Sequence, residues 1–168
     1  MTEYLDLIRE GTGGNRCDVT PVFADAAAFT ELLDDLVALV GALEFDLVAG
    51  IDALGFILGG AFAARTGKGF VAVRKGGKLP APADRITFVD YTGDSKQLEV
   101  RADSDWPGRR ILLVDEWIET GAQVRAALHL LRAKGATVVA VATVHCDENE
   151  LTRALAGDVA ILALRRGR

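Results

Sequence analysis

A parallel α/β domain is the fold class this sequence predicts, and three observations carry it. Apolar runs of strand length alternate with segments of helical period, the runs are apolar throughout as in strands covered on both faces, and two of the helical segments stop at a glycine. At 168 residues, half of them hydrophobic, the chain can bury one sizeable core and is short for two, so residues 1–168 read as a single domain.

The elements follow in chain order. Asp25 is suited to cap a helix in which Phe29, Leu32, Leu33, Leu36, Val37 and Val40 recur at spacings of three and four. A strand is predicted near residues 45–50, a helix near 56–66 stopped by Gly67, and a strand near 69–74. Strand and helix repeat at 110–115 and 123–134, where Gly135 ends the helix, then at 137–144 and near 148–156, before a last strand near 159–164. Between residues 75 and 107 the helical period disappears and three of the four prolines occur. Two alternating runs there, 85–91 and 97–101, can pair as a hairpin, and an excursion of this length in a compact domain reads as a flap over a binding site.

Charge and composition exclude several classes. A net charge of −5 without a basic face argues against nucleic-acid binding, and no run approaches the length of a membrane span. The acidic N-terminus lacks an apolar signal core, so a cytoplasmic location is expected. Cys17 and Cys146 form neither a disulfide framework nor a metal-ligand spacing and read as small, partly buried thiols. His129 and His145 lack the partner arrangement of a catalytic triad, and the glycine fingerprint of dinucleotide binding is absent after the first strand.

The densest chemistry lies in residues 111–123, ILLVDEWIETGAQ. Asp115 and Glu116 end a buried-type strand, and ligands of open parallel sheets bind beyond such ends. Adjacent carboxylates can accept hydrogen bonds from two neighbouring hydroxyls or sit near a divalent metal, while the turn Glu119-Thr120-Gly121-Ala122 aims backbone N–H groups at an anion. The cluster Arg74, Lys75 and Lys78 follows directly on another strand and so also emerges at a carboxyl end.

This block resembles the phosphoribosyl pyrophosphate (PRPP) motif of type I phosphoribosyltransferases: an apolar strand, two acids, three more residues, then a Thr-Gly turn. Residues 46–80, DLVAGIDALGFILGGAFAARTGKGFVAVRKGGKLP, resemble the strand, pyrophosphate loop, helix, strand and Arg-Lys-x-Gly-Lys-Leu-Pro segment of adenine phosphoribosyltransferases. CDVTPVFAD, residues 17–25, resembles that family's hood segment. The resemblance implies a central parallel sheet flanked by helices, an N-terminal hood over about residues 1–24 and an inserted flexible flap over about 75–107. It further implies an adenine-type enzyme of purine salvage that takes PRPP and a purine base, uses Mg²⁺ and forms a homodimer.

Roles carry over residue by residue. Asp115, Glu116, Glu119, Thr120, Gly121, Ala122 and Gln123 would hold PRPP, with Mg²⁺ met by Asp115 and Glu116 indirectly, through PRPP or water. Asp52, Ala53 and Leu54 would face the pyrophosphate, Arg74, Lys75 and Lys78 would neutralise it, and Arg16, Cys17 and Asp18 would lie near the nucleobase. Glu119, as proton acceptor, and Arg74, at the leaving group, are the catalytic candidates.

The chain departs from the family pattern at several of these positions. Leu54 stands where an arginine is usual, Glu116 where an aspartate is usual, and Gln123 replaces the last hydroxyl of the phosphate loop. Glu116, one methylene longer, is expected to push its carboxylate outward unless the backbone compensates. Trp117 falls at an aliphatic position and reads as core. The family's flap glutamate has no clear equivalent, since only Tyr91, Asp94 and Lys96 match in part, while Glu119 occupies the place where hypoxanthine-guanine enzymes carry an acid. A 6-oxopurine phosphoribosyltransferase and a non-catalytic PRPP-binding regulator therefore stand as alternatives.

Overall fold

The computed structural model describes residues 3–9, 17–90 and 92–167. Among these residues seven strands form one sheet in the order β3-β4-β2-β1-β5-β6-β7. They are β1 (Leu47–Ile51), β2 (Gly69–Lys75), β3 (Ala83–Val89), β4 (Ser95–Arg101), β5 (Arg110–Ile118), β6 (Thr137–Asp147) and β7 (Ile161–Gly167). β1 pairs in parallel with β2 and β5, as do β5 with β6 and β6 with β7; the β3–β4 hairpin joins the edge antiparallel, through Arg74↔Glu99 and Lys75↔Leu98.

Among the described residues, five α-helices accompany the sheet: α1 (Thr20–Ala24), α2 (Ala26–Val40), α3 (Leu54–Thr66), α4 (Ala122–Ala133) and α5 (Glu150–Ala156). Period-two alternation along β5 explains the two layers. Leu112 and Val114 meet Leu32 and Leu36 of α2 and Leu58 and Phe62 of α3, whereas Ile111 and Leu113 meet Val124, Leu128 and Leu131 of α4. Each such fully buried leucine contributes about 2 kcal/mol. Asp25 caps α2 as its position suggested, accepting the amides of Ala27 and Ala28, both at 2.9 Å. At the start of α5, Asn149 and Thr152 form a reciprocal cap.

The segment after β2 is a hairpin as anticipated, with its base inside the core. Leu98 and Val100 are fully buried, and Lys134 of the α4 C-terminus pairs with Asp84 and donates to the Ala102 carbonyl at 2.7 Å. At the hairpin's other end Asp90 reaches the carboxyl end of β5, in one pocket with Asp115 and Ile118. β5 and β6 both run three residues further than their apolar stretches indicated, because Trp117↔His145 and Ile118↔Cys146 continue the ladder beyond the acids.

Candidate active site

The extension of β5 brings Asp115 and Glu116 into the sheet, 5% and 3% exposed. Asp115 Oδ1 accepts the Glu116 amide at 3.1 Å. Glu116 is not pushed outward: the β5–β6 ladder continues past it through Trp117↔His145, it is buried, and its side chain borders the same cleft as Asp115. Close packing of α3 explains a glycine here. A Cβ on Gly55 would lie 2.9 Å from Asp115 Oδ1 and 3.1 Å from the Val114 carbonyl, so only glycine lets the start of α3 rest against the acid.

The next turn leads directly into a helix. Gly121 has φ +76°, and a side chain there would also strike Leu155 at 2.6 Å. α4 begins immediately after, which puts its N-terminus and positive dipole end at the carboxyl end of β5. Thr120 Oγ1 accepts the Ala122 amide at 3.4 Å, and Asn149 Nδ2 donates to the Glu119 carbonyl at 2.7 Å, tying the turn to α5.

Three cavities meet at Gln123. One of about 220 Å³ is lined by Asp52, Ala53, Leu54, Lys75, Asp115, Glu116 and Gln123. A second of about 510 Å³ lies under the hairpin, between Lys75, Gly76, Phe88, Asp90, Lys96 and Gln123. A small third pocket is formed by Asp90, Asp115, Glu119 and the 120–124 turn. Leu54 is half-buried and borders the first of these, not the core. The Asp52–Ala53 peptide bond in the same loop is cis.

The basic cluster is divided by strand alternation. Lys75 is exposed and lines two of the cavities, whereas Arg74 faces the other way. Arg74 Nη1 donates to the Lys78 carbonyl at 3.0 Å, its Nε lies 3.8 Å from Asp52, and its guanidinium sits over the Phe56 ring at 5.9 Å. Lys78 is exposed on the following turn and borders none of the three cavities. Five carboxylates (Asp52, Asp90, Asp115, Glu116 and Glu119) and two lysines (Lys75 and Lys96) therefore line the cavities among the described residues. A polyphosphate could enter such a site only with compensating cations.

Three hairpin residues take places that the sequence reading did not assign. Asp90 closes the small pocket; its carboxylate accepts the Thr92 hydroxyl at 2.5 Å and the Thr92 amide at 2.9 Å, bonds that hold it below the usual range. The signal was present as Asp-x-x-Gly at residues 90–93, an Asx-type turn. Lys96 pairs with Asp94 at 3.0 Å while bordering the large cavity. Glu99 is fully buried and accepts Arg85 Nε at 2.7 Å together with the amides of Gly77, Lys78 and Leu79 at 3.0, 2.7 and 2.7 Å. Burial pushes its carboxyl up, but these four donors outweigh that and hold it at about 2. Opposite charges at paired hairpin positions, Arg85↔Glu99, were the available clue.

The hood is less directly engaged. Asp18 is exposed and turns its carboxylate to the Thr20 amide and hydroxyl at 2.9 and 2.6 Å, which lowers its pKa; Cys17 is half-buried, and neither lines the three cavities. Arg16 and Tyr91 lie outside the described residues. Trp117 is buried as anticipated, stacked on His145 at 4.0 Å with its indole donating to Asp147 at 3.1 Å. Burial pushes the His145 imidazole toward its neutral form against the pull of Asp147, and His129 is exposed on α4.

Residues 24–162 match the model of the phosphoribosyl transferase domain. The adenine phosphoribosyltransferase of Nocardia farcinica is 44% identical over 151 residues, covering 89% of this chain and 77% of that protein. Among solved structures, the adenine phosphoribosyltransferase of Thermoanaerobacter pseudethanolicus superposes with a TM-score of 0.89 at 31% identity, covering 99% and 98% of the two chains. The APRTase of Giardia lamblia, complexed with 9-deazaadenine, gives 0.88 at 27% identity over 99% and 97%. The strand-end acids, the Thr-Gly turn into α4 and this similarity along almost the whole chain converge, and the chain belongs to the phosphoribosyltransferase family, within its adenine phosphoribosyltransferase group.

Proposed function

We propose that the chain transfers the phosphoribosyl group of PRPP to a purine, adenine first, giving a nucleoside monophosphate and pyrophosphate. The observation that carries this reading is the meeting at Gln123 of the acid pair, the anion-cradling turn, the 52–54 loop and Lys75. Relatives named adenine phosphoribosyltransferase, one of them complexed with an adenine analogue, support the choice of base.

In this reading Asp115 and Glu116 hold the ribose hydroxyls, and Thr120, Gly121, Ala122 and Gln123 hold the 5′-phosphate. Asp52, Ala53 and Leu54 face the pyrophosphate, with Lys75 as the cation that meets it directly and Arg74 and Lys78 acting from its flank. A purine ring nitrogen bonds to the anomeric carbon as the bond from that carbon to the pyrophosphate oxygen breaks. Negative charge then grows on the departing oxygen, where Lys75 stabilises it, and Glu119 accepts the proton released from the purine. Arg16, Cys17 and Asp18 are the proposed contacts of the base.

The donor set also fits Mg²⁺ carried in with PRPP. Two adjacent hard carboxylates are present without any cluster of three candidate ligands among the described residues, the arrangement expected for an ion that keeps waters and substrate oxygens. When bound, the ion would offset the acidic lining and the charge of the diphosphate. A homodimer located in the cytoplasm completes the reading, without nucleic-acid or membrane partners; no helix among the described residues is long and apolar enough to cross a membrane.

A panel of adenine, hypoxanthine, guanine and pyrimidines with PRPP and Mg²⁺, monitored for nucleotide formation, tests the proposal. The expected product is adenosine monophosphate. Product from hypoxanthine or guanine alone would favour the 6-oxopurine alternative, and PRPP binding with no product from any base would favour a regulator.

A further inference from the structure

Glu99 is a charged side chain with no exposed surface and no place among the groups that line the cleft. Burying a carboxylate is costly unless its oxygens are fully engaged, and here three consecutive backbone amides and a guanidinium engage them. Amides in such a row form a concave anion site, and the chain fills it with its own carboxylate. The partners join two walls of the cleft. Gly77, Lys78 and Leu79 continue from Lys75 and Gly76, which border the cavities, while Arg85 and Glu99 belong to the hairpin whose Phe88, Asp90 and Lys96 roof the largest one. Arg74 reinforces the turn from outside through the Lys78 carbonyl.

We infer that Glu99 is a positioning residue: its carboxylate locks the 76–79 turn to the hairpin, so that Lys75 is held at the pyrophosphate end of the cleft and roof and turn behave as one body. It touches no substrate. The inference rests on the proposed PRPP reaction and names what sets that site's cationic wall. Its loss should weaken the capture of the diphosphate while leaving the purine's own contacts intact.

Steady-state kinetics of Glu99→Gln and Glu99→Ala, with PRPP and adenine varied separately, test this. Gln keeps the size but presents an amide N–H to donors, so KM for PRPP should rise about tenfold or more while KM for adenine changes less than about twofold. In Glu99→Ala, added formate should restore PRPP affinity by refilling the amide nest, and equal chloride should not. Unchanged KM for PRPP in the Gln variant would overturn the inference, as would equal rises for both substrates. Should Glu99→Ala fail to fold, the Gln variant and its two KM values still decide. Absence of nucleotide formation by the wild-type chain would instead sink the reaction itself, which keeps the two failures distinct.

Discussion

Glu119 and Asp90 are two carboxylates that border one small pocket. Asp90 is committed to Thr92, whose hydroxyl and amide stabilise its ionised form and make it a weak base. In the proposed reaction the proton acceptor is Glu119. Glu119→Gln should lower turnover by about two to four orders of magnitude, with PRPP binding held or tightened, whereas Asp90→Asn should act less on turnover. Turnover undiminished in Glu119→Gln would transfer the role to Asp90. Strand alternation makes a second residue-scale prediction: Lys75→Ala should cost more in PRPP affinity than Arg74→Ala, because only Lys75 borders the cleft. Equal losses, measured by calorimetric titration, would place Arg74 at the ligand as well.

At the scale of elements, the glycine contacts show how tightly the strand-end acids are enclosed. Gly55→Ala would force α3 away from Asp115 and Val114, and Gly121→Ala would combine a left-handed backbone with a clash at Leu155. Each should destabilise by about 1–3 kcal/mol in thermal or denaturant melts and reduce PRPP binding. Stability and affinity both unchanged would mean that the turn yields freely. The strands, the major helices and the acid pair were legible because burial on two faces and helical period leave plain marks in sequence. The far ends of β5 and β6 were not. There the polar residues Glu116, Thr143 and His145 continue paired strands, and alternation of hydrophobicity no longer reports the ladder. Likewise Asp90 and Glu99 owe their places to the hairpin's tertiary docking, which local spacing does not encode.

For the whole molecule, acid stability follows from carboxylates anchored across the fold. Glu99 and Asp46 are each held at about 2, Glu99 by Arg85 and three amides against burial, and Asp46 by the Arg110 side chain and amide. Folded values below the ordinary range mean that their contribution is complete above about pH 4.5 and is lost as pH falls toward 2. The melting temperature of wild type should thus exceed that of Glu99→Gln most above pH 5, with the gap narrowing toward pH 2. A gap independent of pH over that range would assign the difference to shape, not charge.

Adenine-dependent release of pyrophosphate from PRPP and Mg²⁺, followed side by side in wild type and in the Asp115→Asn, Glu116→Gln double variant, tests the central claim most directly. The geometry predicts adenosine monophosphate and pyrophosphate in equal amounts from wild type. It predicts loss of both from a double variant that stays folded, because the ribose hydroxyls and the metal-bearing diphosphate lose their acceptors while the side chains keep their size. Undiminished turnover and PRPP affinity in the double variant would contradict it, since the strand-end acids could not then be the site of the reaction.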